Sequence, residues 1–196
     1  MESIRCKCSG VLGGDVETNL YYLQYGSLKA VKTSPDGREQ VLKIINAGEI
    51  FHEVGVLAKR ANPATAIALE ESGIWLIPRQ ALEDVLASYP QMAIRIIENM
   101  ADQIISLAAL VSDLSLKNVK ARFAKLLLEQ ANRGVVERQS WATQTAIASR
   151  LGTVPDVLSR VIREMTKTGL IEMDKQKIRI LDRESLAKQA EIQDKE

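Results

Sequence analysis

Residues 143–165 read Thr143-Gln144-Thr145-Ala146-Ile147-Ala148-Ser149-Arg150-Leu151-Gly152-Thr153-Val154-Pro155-Asp156-Val157-Leu158-Ser159-Arg160-Val161-Ile162-Arg163-Glu164-Met165. Ala146, Ile147 and Leu151 recur at helical spacing, Gly152 supplies a turn, and Val157, Leu158, Val161, Ile162 and Met165 recur again. Thr143 is placed to cap the first helix. Thr153 is placed to cap the second, answered three residues on by Asp156 in a capping-box arrangement that tolerates Pro155 in the first turn. Pro155, Asp156, Ser159, Arg160 and Arg163 remain on or near the outer side. Two short helices joined by a Gly turn, the second with a polar, Arg-bearing N-terminal face, make a helix-turn-helix whose second helix enters the major groove of DNA. An unspecialised αα-hairpin is the alternative for these residues taken alone. The next residues of the chain favour the helix-turn-helix: Thr168-Gly169 stops the helix, and residues 170–173 and 177–181 alternate as a hairpin around Asp174-Lys175-Gln176, a basic-tipped wing.

Upstream, the pattern changes near residue 79. Before it, β-rich runs at 20–23, 28–33, 41–45, 65–69 and 74–77 are separated by Gly26, Ser34-Pro35-Asp36-Gly37 and Asn46-Ala47-Gly48, which predicts a compact antiparallel β unit. From Arg79 the period is helical, first to about Ser88 and then in a long stretch opened by Pro90. Ile97, Ile104 and Val111 recur every seven residues, and so do Met100, Leu107 and Leu114. The seam either packs on its own β unit or pairs with a second copy, and a helix of this length outruns what a small β unit covers. Polar, cap-forming residues 113–118 then interrupt the heptads, predicting a hinge. A further helix over about 119–131 follows Asn118 as N-cap and ends before Gly134, and residues 189–196 read as a frayed polar end.

The composition is globular: 196 residues, 46% hydrophobic, 26% charged, with 26 Lys+Arg against 25 Asp+Glu. No apolar run approaches the roughly 20 residues a bilayer requires, and the opening residues lack an apolar secretion core, so a cytoplasmic protein with no membrane partner is expected. The net charge of +1 conceals a division. Residues 40–116 hold 5 basic and 9 acidic residues, a net of −4, whereas 117–180 hold 13 basic and 6 acidic, a net of +7, so the C-terminal part is the one to meet nucleic acid. Cys6 and Cys8 are too close for an easy intrachain disulfide and too few for a metal site on one chain; they read as free thiols, or as a redox or metal cluster shared in a dimer. No Ser/His/Asp set, Gly-rich phosphate loop or metal-spaced cluster points to an enzyme.

Three stretches resemble the cyclic-AMP receptor and fumarate-nitrate-reduction regulator (CRP/FNR) family of bacterial transcription factors, with a resemblance running from about Gly13. Gly14-Asp15 followed by Leu20-Tyr21-Tyr22-Leu23-Gln24-Tyr25-Gly26-Ser27-Leu28 is similar to the entry into its β-roll. Gly48-Glu49-Ile50-Phe51-His52-Glu53-Val54-Gly55 resembles its effector-pocket turn, and residues 151–160 resemble its recognition-helix entry. The resemblance implies an α+β chain with three parts. A cyclic-nucleotide-binding-like β-roll, N-terminally short, spans 1–88; a long dimerisation helix with hinge spans 89–116; a winged helix-turn-helix spans 117–196. The segment before Gly13 is shorter than is usual in the family, so the roll is expected to lack an outer strand.

By position, Arg160 matches the Arg that reads guanine, Asp156 the Glu that accepts from cytosine, and Ser159 a base contact of the FNR branch, chemistry that suits each group. Pro155 departs from a contact residue and cannot hydrogen-bond a base edge. Thr143, Arg150, Thr153, Arg163, Lys175, Lys177 and Arg179 are the expected phosphate contacts. The effector site departs further. Cyclic-AMP binders carry Gly-Glu at the pocket turn and Arg-Ser-Ala about ten residues later; here His52-Glu53 is followed by Asn62-Pro63-Ala64-Thr65, with no Arg to pair a phosphate. Leu107 and Ala108 stand where that branch offers hydroxyls to adenine. The candidate pocket residues are His52, Glu53 and Thr65, for an effector other than cyclic AMP or for none; haem ligated by His52 and thiol-based sensing are the cofactor alternatives. The expected function is a homodimeric regulator reading palindromic double-stranded DNA and acting with RNA polymerase. A small-molecule or redox sensor module, its helix-turn-helix serving protein contacts, is the alternative.

Overall fold

A computed structural model describes residues 2–6, 11–12, 19–137, 143–174 and 177–191; Cys8, residues 13–15 and Lys175 lie outside them. The chain divides into two compact units, Met1–Leu107 and Ala108–Glu196.

Among the described residues of the first unit, eight strands form two four-stranded antiparallel sheets. They are β1 (Glu2–Cys6), β2 (Val11–Leu12), β3 (Asn19–Tyr25), β4 (Ser27–Thr33), β5 (Glu39–Asn46), β6 (Ile50–Phe51), β7 (Thr65–Ala68) and β8 (Ser72–Pro78), with a short helix α1 (Glu53–Ala58) after β6. The orders are β1-β8-β3-β6 and β2-β7-β4-β5. Tyr21, Leu23, Leu28, Ile45, Phe51, Ala66, Ala68 and Ile74 form the core between the sheets. The register between β4 and β5 shifts at Ala30/Val31, with Leu42 of β5 the extra residue, while β4 keeps an unbroken register with β7; Leu28 and Val31, three residues apart and so on opposite faces of β4, are both buried. Gly26, at φ +90, joins β3 to β4, and a Cβ there would collide with the backbone of Glu71 and Ser72. β1 and β2 each take the outer position of a sheet.

Two helices complete this unit's second cluster: α2 (Arg79–Ser88) and the first part of α3 (Pro90–Leu116). Leu20, Val56, Leu82 and Ile96 are its buried members, with Met100 packed against them. The second unit has α4 (Val119–Gln130), β9 (Val135–Glu137), α5 (Gln144–Arg150), α6 (Pro155–Lys167), β10 (Ile171–Met173), β11 (Lys177–Ile180) and α7 (Arg183–Glu191). Its core gathers Phe123, Leu127, Leu158, Met165, Ile171, Ile178 and Leu186. β9 joins the wing hairpin as a third strand, in the order β10-β11-β9. The polar end expected over 189–196 is helical as far as Glu191, because Leu186 and Ala190, one turn apart, are both buried.

The break after α3 is shorter than the expected 113–118. The helix continues through Leu116, and only Lys117 and Asn118 separate it from α4, where the Asn118 side chain accepts from the Ala121 N–H at 2.8 Å. Polar groups hold the end of α3 helical. The Asp113 carboxylate pairs with Lys117 at 3.2 Å and with Lys125, and Arg122 Nη1 donates to the carbonyls of Lys117 (3.0 Å), Leu114 (3.2 Å) and Asp113 (3.4 Å). Carbonyls left over at a helix C-terminus are where a cation is most useful. Burial pushes the Asp113 carboxyl up, but hydrogen bonds from Lys125 and Lys117 outweigh it and hold it below the usual carboxylate range. Arg122→Met is expected to lower the stability of the second unit by on the order of 1–3 kcal/mol in urea unfolding of the full chain. An unchanged midpoint would exclude this capping role.

Candidate nucleic-acid interface and β-roll cavity

The helix-turn-helix is held by its own backbone. The Thr143 hydroxyl accepts from the Ala146 N–H at 3.2 Å, as expected for the cap of α5. In the turn, Leu151 N donates to the carbonyls of Ile147 (3.0 Å) and Ala148 (3.1 Å), and Thr153 N donates to Ala148 O at 3.0 Å. Gly152 lies at φ +64, where a side chain would be strained. The capping box expected at Thr153 and Asp156 is corrected. The N-cap of α6 is Val154, in extended backbone with no side-chain cap, and Pro155 takes the first helical position. Pro155 causes this: its ring suits that position and drives the preceding residue to extended φ and ψ. Asp156 instead sits in the first turn, where its charge suits the helix dipole.

One face of α6 buries Leu158, Val161, Ile162 and Met165, while Asp156, Arg160 and Arg163 are exposed. Arg160 has no hydrogen bond or ion pair among the described residues, so its guanidinium fork is available. The half-buried Ser159 hydroxyl lies 2.9 Å from Pro155 O and 3.3 Å from Gln144 Oε1. Gln144, exposed at the start of α5, is a residue of this face that the sequence pattern does not mark; its place beside the Thr143 cap is the available signal. The other expected phosphate contacts differ in availability. Arg179 pairs across the wing with Glu172 at 2.9 Å, an exposed bridge of small worth that a phosphate can displace, and Lys177 is half-buried. Arg150 is half-buried; burial pushes its pKa down against the opposing pull of the Glu129 carboxylate.

The first unit contains a cavity of about 250 Å³, whose lining includes His52, Glu53, Asn62, Asp102, Gln103 and Leu107. Thr65, the third expected pocket residue, is not among the lining residues; it pairs with Val31 across β4 and β7. His52 lies at φ +67, a left-handed conformation that Gly adopts freely, and its ring packs edge-on near Tyr21 (5.4 Å) and Phe51 (5.1 Å). Burial lowers its pKa from 6.5 to about 4. Glu53 is 3% exposed, and Gln103 Nε2 donates to its Oε1. Asn62 Oδ1 accepts from Ala64 N at 3.4 Å, while Asn62 Nδ2 is buried with no hydrogen-bond partner. Lys43, the lining ammonium, is held by Glu49 at 2.5 Å, and no Arg is among the described residues that line the cavity. Two aromatic rings against the imidazole, in a cavity this small, give a haem plane no support.

Residues 11–89 match the family model of the cyclic nucleotide-binding domain, and residues 121–189 match that of the Crp-like helix-turn-helix domain. The chain is 25% identical over 183 residues to a CRP-like cAMP-activated global transcriptional regulator of Mycobacterium tuberculosis, covering 90% of this chain and 82% of that protein. It is 27% identical over 185 residues to the fumarate and nitrate reduction regulatory protein of Escherichia coli, covering 90% and 73%. FixK2 from Bradyrhizobium japonicum shares the fold with a TM-score of 0.78 at 20% identity, over 95% of this chain and 96% of that one. The protein is therefore a transcription regulator with a helix-turn-helix DNA-binding domain, not an enzyme. It belongs to the CRP/FNR family. No helix among the described residues is long and apolar enough to cross a membrane.

Among the described lining residues no guanidinium stands to pair a cyclic phosphate, while the carboxylates of Glu53 and Asp102 are present. The neutral His52 makes the first unit acid-sensitive. The unfolded chain binds the proton at about 6.5 and the folded one at about 4, so the full stability is present above 6.5 and falls as pH drops through that window. The loss approaches on the order of 3 kcal/mol at its acid end. His52→Asn, which tolerates a positive φ, is expected to flatten this dependence in urea unfolding between pH 7 and pH 5. An equal slope in both proteins would assign the acid sensitivity elsewhere.

Proposed function

We propose that the chain works as a homodimer that reads a palindromic DNA site, one α6 in the major groove of each half-site, with half-site centres about 34 Å apart. The observation that carries the reading is α6 itself: one face anchored in the core, and Asp156, Ser159 and Arg160 together on the other, with the Arg160 fork unengaged. Arg160 is suited to guanine O6 and N7, and Asp156 to cytosine N4. Thr143, Arg163, Lys177 and Arg179 sit in or beside the helix-turn-helix and wing as phosphate contacts, with Arg150 and Thr153 as lesser ones. In this reading the regulator acts on transcription through RNA polymerase at the promoter.

Dimerisation rests on α3. Ile97, Ile104 and Val111, spaced seven residues apart, are 65%, 66% and 63% exposed in the single chain, and Leu107 is 43% exposed. Met100 is partly spent on its own unit's cluster, and Leu114 is half-buried, so the a-position residues form the main seam. An apolar stripe of this length on a 27-residue helix needs cover, and the same stripe of a second copy supplies it symmetrically.

With a site selected from random DNA, Arg160→Ala is expected to weaken binding by about 1–3 kcal/mol per half-site and to relax discrimination at one G·C pair, read by mobility shift against single-base variants. An equal loss on specific and random DNA would remove the base-reading role. An affinity for DNA that does not fall steeply with salt would favour the sensor module whose helix-turn-helix serves protein contacts. Ile104→Glu is expected to yield monomers in sedimentation and to lose cooperative binding of the full palindrome; a dimer of unchanged stability would place the interface elsewhere.

A further inference from the structure

The β-roll cavity keeps the carboxylate of the family's pocket turn, and the one cation among its described lining residues, Lys43, is held by Glu49. Glu53 is buried, and its hydrogen-bond partner, Gln103, is a neutral amide. Asp102, one residue before Gln103 on the same helix, brings a second carboxylate to the lining, while Glu49 already holds the Lys43 ammonium. A buried carboxylate is stable only when its charge is met by hydrogen bonds or an opposite charge, and one neutral donor meets it in part. Asn62 Nδ2 stands buried at the same cavity without an acceptor, a donor that is costly to leave unused. Ile45, Phe51 and Leu107 supply an apolar floor.

We infer that this cavity binds a small organic cation: a compact apolar body bearing a protonated amine or amidine for Glu53 and Asp102, beside a carbonyl or hydroxyl oxygen that accepts from Asn62 Nδ2. The inference rests on the β-roll serving as the effector domain of the proposed regulator. The ligand is opposite in charge to a cyclic nucleotide. A cavity of about 250 Å³ limits it to something smaller than a typical drug-sized molecule.

The test is calorimetry on the full chain at low salt and pH 7, without DNA, using three near-isosteric probes that differ in charge. Phenylalaninamide is the cation, 3-phenylpropanamide the neutral probe and 3-phenylpropanoate the anion. The cation is expected to bind about tenfold or more tighter than the neutral probe, and the anion not at all. Asp102→Asn, at an exposed position, and Glu53→Gln are each expected to weaken the cation about fivefold or more; the first keeps the test decisive if the second fails to fold. Asn62→Arg is expected to abolish cation binding. Tighter binding of the anion or of cyclic AMP by the natural chain, no binding of the cation at millimolar concentration, or equal affinities in natural chain and variants would each overturn the inference. A mobility shift on the selected site is run alongside. Loss of probe binding with intact DNA binding refutes the ligand class alone, whereas absent DNA binding refutes the regulator reading whatever the probes do.

Discussion

A helix has more than one apolar face to place, and α3 places them differently. Ile96 is buried with Leu20, Val56 and Leu82, and Met100 packs against that cluster, while Ile97, Ile104 and Val111 on the neighbouring side stay open to solvent. At 3.6 residues per turn, adjacent positions differ by about 100° around the axis, so Ile96 and Ile97 cannot serve one contact. At about 40 Å, the helix also outlasts the unit in which it begins. One segment thereby supplies core to the β-roll, lines its cavity through Asp102, Gln103 and Leu107, and carries the stripe assigned to a second copy. A ligand in the cavity and a partner on the stripe would touch the same helix within a few turns.

The second unit solves a different problem, the orientation of a few polar groups. Leu158, Val161, Ile162 and Met165 fix the rotation of α6 by burial, and Gly152 sets the angle of entry, leaving Asp156, Ser159 and Arg160 directed outward on a rigid element. The polar cluster of Asp113, Lys117, Arg122 and Lys125 ties the last turn of α3 to α4, which only Lys117 and Asn118 separate. Charge follows the same division. The excess of basic residues lies in the stretch that holds the helix-turn-helix and wing, and the acidic excess lies in the stretch that holds the cavity, and the two nearly cancel over the chain.

The strands β3, β4, β5, β7 and β8, the helices α2, α3 and α4, and the two helices around Gly152 are legible in the sequence because each carries a periodic run or is bounded by a distinctive residue such as Gly26, Pro90, Asn118 or Thr143, whereas β6, two residues long, is not. Helix α1 has six residues and β9 three, too few to establish a period, and α7 carries only Leu186 and Ala190 as its buried signal. The cap of α6 lies one residue beyond the expected Thr153 because Pro155, a backbone constraint, overrides the side-chain capping that Thr153 and Asp156 offer.

The sequence by itself determined the order of the elements, the seven-residue apolar repeat, the outward placement of Arg160 and the replacement of an Arg-Ser-Ala by Asn62-Pro63-Ala64-Thr65, since all of these follow from residue type and spacing along the chain. Tertiary structure alone decided that Thr65 misses the cavity while Asp102 and Gln103 reach it, that Glu53 finds its partner fifty residues away, and that Ile96 is spent while Ile97 is free. Contacts between residues distant in sequence depend on how sheet and helix pack, and local spacing carries no record of that packing.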